Sequence, residues 1–368
     1  MSAKRPLWVV VMAAGEGTRM RSERPKPLHV LCGRAMLLLI LDALSELPID
    51  RTVVVVGHAA ERVTKTLLEQ GPPGLPIEFV EQHMQRGTGD AAGIAMTALP
   101  EDDTFDDGDV IVLPGDTPLL RASTLARLVQ AHRASDAAAT LLTARPIDAT
   151  GYGRVIRGRD DRVVRVVEQG DATPSELAVD EVNTSIYCFR RSVLAPALRR
   201  LSPDNNQGEY YLTDVVEVLH DAGYEVSSVV ADDPGEITGV NDRVQLAAAE
   251  AELRRRTNER WMRQGVTMLD PERTYVDATV ELHADVTLFP GTMLHGRTVV
   301  GAGARLGPDV RLTDCMVGRN TVVEHSVGND AEIGDDAVVG PFAVLQPGCQ
   351  IAQGTRTGPF YNATAGDD

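Results

Sequence analysis

The sequence predicts an α/β fold, a doubly wound parallel sheet followed by a short parallel β-helix, on three observations. From Leu7 to about Phe189, short β-branched runs alternate with longer segments of helical periodicity. From Arg243 to Arg263 the chain has no Gly or Pro, is rich in Ala, Leu, Glu and Arg, and stops at Gly265, which reads as one helix. Beyond it, aliphatic residues recur at every sixth position.

In chain order, Trp8–Met12, Thr52–Gly57, Ile77–Val80, Val110–Leu113 and Ala139–Thr143 read as strands, with helices over Met36–Leu47, Ala59–Leu68 and Ser123–Ala134. Helices between strands cover both faces of a parallel sheet, and ligands bind at the carboxyl ends of its strands, so the loops after Met12 and Leu113 become the places to search. The repeat runs through Leu282, Leu288, Leu294, Val300, Leu306 and Leu312, shifts phase, and resumes at Ile333, Val339, Leu345 and Ile351. A hexad with one inward aliphatic builds a coil that buries its face only by stacking on the next. The repeat arithmetic predicts about four coils. The expected division is a first domain over 1–242, a helical arm over 243–265 and the β-helix over 266–368.

Composition narrows the function classes. Hydrophobic residues make up 43% of 368, enough for a large core, and 53 acidic against 36 basic residues give a net charge of −17. That excludes the broad basic surface of a nucleic-acid binder or an anionic-membrane binder. No apolar run approaches membrane-spanning length, and Leu7–Met12 is too short for a signal segment. The four cysteines have no metal-ligand spacing, and reduced thiols with no export signal lead to the expectation of a cytoplasmic protein.

Two motifs carry chemistry. Met12, Ala13, Ala14 and Gly15 open a Gly-rich turn after the first strand that continues through Gly17 and Arg19 to Pro25-Lys26. Small residues there let the main chain approach a nucleotide, and its N–H groups can surround phosphate. The third glycine of a dinucleotide fingerprint is missing and the chain has no Gly-Lys pair, so neither that motif nor a Walker A loop is present. Arg19 and Lys26, two cations in an acidic chain, suit a triphosphate. Pro114, Gly115 and Asp116 follow the Val110–Leu113 strand, and one carboxylate at that edge is the typical protein share of a magnesium site; a plain turn cap is the other reading. Gln82 and the Gln85–Gly89 loop offer amide and backbone groups suited to a base edge, although a polar surface loop has the same composition.

Ala13–Met20 with Pro25-Lys26, Gln85-Arg-Gly-Thr-Gly, Gly151-Tyr-Gly-Arg, Glu168-Gln-Gly-Asp-Ala-Thr, Glu181-Val-Asn-Thr, Asn206–Asp214 and Gly239-Val-Asn-Asp-Arg occur in that order. Together they resemble the bacterial bifunctional uridylyltransferase/acetyltransferases that make UDP-N-acetylglucosamine. The resemblance covers about residue 7 to the β-helix near 350. It implies a Rossmann-like nucleotidyltransferase domain, a short left-handed parallel β-helix, and Mg²⁺-dependent transfer of UMP from UTP to N-acetylglucosamine-1-phosphate. It further implies that Met12–Gly15, Gln82, Gly87 and Thr88 hold the uridine nucleotide, with Pro114 and Gly115 beside them. Arg19 and Lys26 act on the phosphates, Asp116 and Asn241 hold Mg²⁺, and Gly153, Glu168 and Asn183 hold the sugar. A homotrimer through the β-helix is expected on the same basis. Alternatives are another hexose-1-phosphate, such as glucose-1-phosphate, or a non-catalytic sugar-nucleotide-binding subunit. Ser185 stands where the family usually has Gly, Asp90 where it has His, and Gly170 where it often has Lys. Gln346 replaces the arginine of the family's Arg-Pro-Gly turn and Thr364 a lysine, so acetyltransferase activity is expected to be absent.

Overall fold

The computed structural model describes residues 5–99 and 108–363; Thr364 lies outside the described residues. The chain forms two compact units, Met1–His29 with Ala35–Gln245, and Val30–Arg34 with Leu246–Asp368.

The principal elements of the first unit are β1 (Leu7–Met12), α1 (Met36–Ser45), β2 (Arg51–Val56), α2 (Ala60–Gln70), β3 (Ile77–Glu81), α3 (Thr88–Met96), β4 (Asp109–Pro114), α4 (Ala122–Ser135), β5 (Ala139–Ala144), β6 (Arg154–Arg157), β7 (Val163–Val167), β8 (Val182–Arg190), α5 (Arg191–Leu198), α6 (Asp214–Asp221) and β9 (Val226–Val230). The sheet runs β9-β5-β8-β4-β1-β2-β3, with β6 paired to β8 and β7 to β6. Two cores flank it because side chains alternate along each strand. Val9, Val11 and Val54 pack with Leu37 and Leu41 of α1, Leu67 of α2 and Leu125 of α4. Val10, Val53 and Val55 pack on the other face with Ala92 and Ala95 of α3, Leu194 of α5 and Val215 of α6. These strand valines are fully buried, and each contributes about 1.5–3 kcal/mol as an upper estimate.

The expected all-parallel sheet is corrected: β8 runs antiparallel to both β4 and β5, and β6 runs antiparallel to β8 and β7. The chain leaves β5, forms the β6–β7 hairpin, and re-enters the sheet after a single helical turn, Pro174–Leu177, rather than a full crossover helix. At the register shift between Asn183 and Ile186 the polar run Asn183-Thr184-Ser185 interrupts the apolar stretch that would reveal this strand in the sequence. β2 and β3 extend the sheet on one side of β1, whereas β4 lies on the other. The carboxyl ends of β1 and β4 therefore flank a topological switch point, the crevice where such sheets bind ligands.

In the second unit, two- and three-residue strands stack in parallel into three sheets of five, six and five strands. One sheet turns Met268, Leu288, Leu306, Val323 and Val339 inward. The coils number five rather than about four, because the first begins at Thr267–Met268. The Pro271–Arg273 turn lengthens its first corner and hides the hexad there. The phase shift has the opposite cause: inward positions step by five residues rather than six from Leu312 to Val317, Val323 to Gly328 and Gly328 to Ile333, and Gly328 also stands where an aliphatic is expected. The helix spans Arg243–Arg263 as expected. Val30–Arg34 joins this unit through Cys32, whose N–H donates to Glu250 Oε2 at 2.7 Å and whose carbonyl accepts from Ala278 at 2.8 Å.

Candidate active site

A cleft of about 540 Å³ opens at the switch point, bounded by the loops after β1 and β4, the β3–α3 loop, the bulge of β8 and Gly239–Asn241. The volume suits a nucleotide with a sugar. Its floor is main chain: Gly115 N–H donates to the Met12 carbonyl at 2.8 Å, and Ala13 N–H to Val55 at 2.9 Å. The Gly-rich turn is held from across the cleft by Gln85, whose Nε2 donates to the Ala14 carbonyl at 3.0 Å. Gly17 has φ +64°, and a Cβ there would lie 2.5 Å from Lys26 Cβ. The missing side chain is what lets the lysine stem cross the turn.

Lys26 Nζ donates to Asp116 Oδ2 at 2.5 Å and to Asn241 Oδ1 at 2.8 Å, and Arg19 Nη2 donates to the same Asn241 oxygen at 3.0 Å. Residues from three stretches far apart in sequence thus meet at one point. Val240 N–H binds the Asp116 carbonyl at 2.8 Å, and Asn241 N–H binds Gln245 Oε1 at 2.7 Å, which fixes the two oxygen-bearing residues side by side. Their hard oxygens already share one cation, the lysine ammonium, so the donor chemistry fits Mg²⁺, which takes one or two protein oxygens and completes its shell with phosphate and water. Among the described residues no group of three or more His, Cys, Asp or Glu could hold a metal by itself.

On the opposite wall, Gly87 caps α3 with φ +107°. A Cβ there would strike the Tyr210 carbonyl at 2.6 Å. The 206–214 motif explains this closeness: Tyr210 N–H donates to Arg86, Gly89 N–H to Tyr210, and Leu212 N–H to Thr88 Oγ1 at 3.0 Å. The motif clamps the β3–α3 loop against the cleft. Gln82 Nε2 donates to Asp90 Oδ2 at 2.8 Å and to the Gly87 carbonyl at 3.2 Å.

Asn183 lies in the β8 bulge, where its Nδ2 donates to Tyr187 Oη at 2.8 Å. Its Oδ1 is buried with no partner among the described residues, an acceptor held ready for a ligand donor. Ser185 beside it has φ +59° and lines the cleft. Gly153 and Glu168 are brought together, a Cβ on the glycine being 3.4 Å from Glu168 Oε2, but neither is on the cleft wall. Met12, Ala13, Ala14, Gly15, Arg19, Lys26, Gln82, Gly87, Thr88, Pro114, Gly115, Asp116, Asn183 and Asn241 all line it. Thr117, Tyr152, Ser185 and Ile237 line it too and are absent from the sequence-derived set. Tyr152 is signalled by its Gly151–Gly153 motif and Thr117 by its place directly after Asp116, whereas Ile237 has no signal.

Behind the cleft, burial raises the Glu168 carboxyl above its usual range, against a 3.1 Å hydrogen bond from Thr213 and with the help of Asp171. Burial, then the charges of Glu217, Glu168 and Asp171, push Asp214 up to about 6. The folded protein therefore keeps a proton that the unfolded chain has released, and stability falls as pH rises from the ordinary 3.8 through about 6. Asp214→Asn is expected to raise Tm at about pH 7.5, with a gain that shrinks toward about pH 4. Thermal melts across that range check the sign.

Residues 9–222 match the MobA-like NTP transferase domain family. Proteins named Bifunctional protein GlmU align along almost the whole chain. That of Thermobifida fusca is 48% identical over 331 residues, covering 90% of this chain and 68% of that protein. That of Shouchella clausii is 43% identical over 361 residues, covering 98% and 73%, and that of Streptomyces coelicolor 45% over 364, covering 99% and 74%. The crystal structure of HddC from Yersinia pseudotuberculosis shares the fold, with a TM-score of 0.50 at 17% identity over 67% of this chain and 99% of that one. With a nucleotidyltransferase cleft at the switch point and these relatives along its length, the chain belongs to the GlmU family.

Proposed function

We propose that the cleft binds UTP and N-acetylglucosamine-1-phosphate and transfers UMP between them, giving UDP-N-acetylglucosamine and pyrophosphate. The observation that carries this reading is the convergence of Arg19, Lys26, Asp116 and Asn241 at the cleft. A phosphate oxygen of the sugar phosphate attacks the α-phosphorus of UTP, and the bond from that phosphorus to the oxygen bridging to the β-phosphorus breaks, releasing pyrophosphate. No protein nucleophile is needed; positioning and charge neutralisation lower the barrier. Main-chain groups of Met12–Gly15 and Pro114-Gly115 seat the nucleotide, with Gln82, Gly87 and Thr88 at the base. Arg19 and Lys26 donate to phosphate oxygens and stabilise negative charge that builds as pyrophosphate leaves. Asp116 and Asn241 hold Mg²⁺, which supplies charge neutralisation at the phosphates when bound.

Asn183 Oδ1 is the acceptor offered to the sugar, with Glu168 and Gly153 behind it. Comparing kcat/KM for N-acetylglucosamine-1-phosphate and glucose-1-phosphate tests the sugar assignment; a preference for the second overturns it. The 368-residue chain, with Gln346 where the family resemblance implies an arginine, is expected to release no free thiol from acetyl-CoA and glucosamine-1-phosphate, and release at an enzymatic rate refutes that. The β-helix is proposed as the contact of a homotrimer in a cytoplasmic enzyme; no helix among the described residues is long and apolar enough to cross a membrane. Sedimentation across a concentration series tests the trimer, and a monomer throughout removes it.

A further inference from the structure

Gln82 is almost fully buried, yet it lines the cleft. A glutamine amide has two ends of opposite polarity, and which end faces a ligand is decided by what holds the other. Here both partners of Nε2 are acceptors only: the Gly87 carbonyl at 3.2 Å and the Asp90 carboxylate at 2.8 Å. Turning the amide over would set its oxygen against two oxygens. Both N–H groups are thereby consumed, and among the described residues no hydrogen bond to Oε1 is formed. The side chain presents the cleft with an acceptor and no donor.

We infer that Asp90 is a positioning residue that sets the polarity of Gln82 and so makes the base subsite select uracil over cytosine. This rests on the reading of the cleft as a nucleotide site. With the base seated so that N3 faces Oε1, the two pyrimidines differ: in uracil N3 carries a hydrogen that Oε1 accepts, whereas in cytosine it carries a lone pair that Oε1 repels. Asp90 does not line the cleft itself and acts through Gln82. A competing role exists, since Asp90 lies in the first turn of α3, where a negative charge stabilises a helix. That role affects stability but not the choice of base.

The test is equilibrium binding of UTP and of CTP, each with Mg²⁺, to the full chain and to Asp90→Asn and Asp90→Ala. Asparagine keeps the volume but can turn either end of its amide to Gln82, so the acceptor-only constraint is lost. The wild type is expected to prefer UTP, and in both variants the UTP:CTP affinity ratio falls by about tenfold, the size of one charge-assisted hydrogen bond, through weaker UTP and stronger CTP binding. Parallel melting curves separate this from the helix role. An unchanged ratio in Asp90→Asn, or a wild type that does not discriminate, overturns the proposal. A wild type that prefers UTP but turns over no sugar phosphate leaves the Asp90 assignment standing and refutes the transferase reading instead.

Discussion

Lys26→Met is expected to lower kcat by roughly 10²–10³-fold, the usual effect of removing one preorganised charge donor from a developing anion. The loss should persist at saturating UTP if, as proposed, the charge that Lys26 meets grows as pyrophosphate leaves. Methionine keeps most of the stem that passes over Gly17, so the turn retains its packing. What is lost is the ammonium that joins Asp116 to Asn241. Steady-state kinetics against UTP at fixed Mg²⁺ check this, and a variant that recovers full kcat at high UTP would show that Lys26 serves binding alone.

Asp116→Asn is expected to cost a similar factor, about 10²–10³-fold, but with a different signature. Asparagine retains one oxygen and loses the charge, so the site keeps its shape and binds a divalent cation more weakly. Raising Mg²⁺ should therefore restore part of the activity of Asp116→Asn and none of that of Lys26→Met. A Mg²⁺ titration of the two variants side by side separates a metal ligand from a residue that only holds the lysine. An Asp116→Asn profile parallel to that of Lys26→Met would assign Asp116 to positioning.

The parts of this molecule legible in its sequence are those that depend on local pattern. The β-branched runs of β1, β2 and β4 and the hexads from Leu282 onward are single-residue periodicities that tertiary contacts leave intact. The Gly-rich turn, Lys26 and Asp116 were identifiable because each follows a strand in a fold whose ligand edge is known. The antiparallel course of β8 was hidden by the bulge at Asn183–Ile186, and the first coil by the Pro271–Arg273 turn. The turn inserts residues that break a period, and the bulge interrupts an apolar run with polar residues. The 206–214 motif was visible as letters, but its role as a clamp on Gly87–Gly89 arises from backbone hydrogen bonds across more than a hundred residues. The partnership of Asp90 with Gln82 depends on distances that no sequence spacing states.

One cleft, built on Arg19, Lys26, Asp116 and Asn241, is proposed to join UMP to N-acetylglucosamine-1-phosphate. ³¹P NMR of the full chain with UTP, the sugar phosphate and Mg²⁺ tests it directly, because substrate and product phosphorus signals are separately resolved. The expected result is equal growth of pyrophosphate and UDP-N-acetylglucosamine, dependent on both substrates and strongly slowed by Asp116→Asn. Pyrophosphate formed without the sugar phosphate, or no product from any hexose-1-phosphate, would contradict the account.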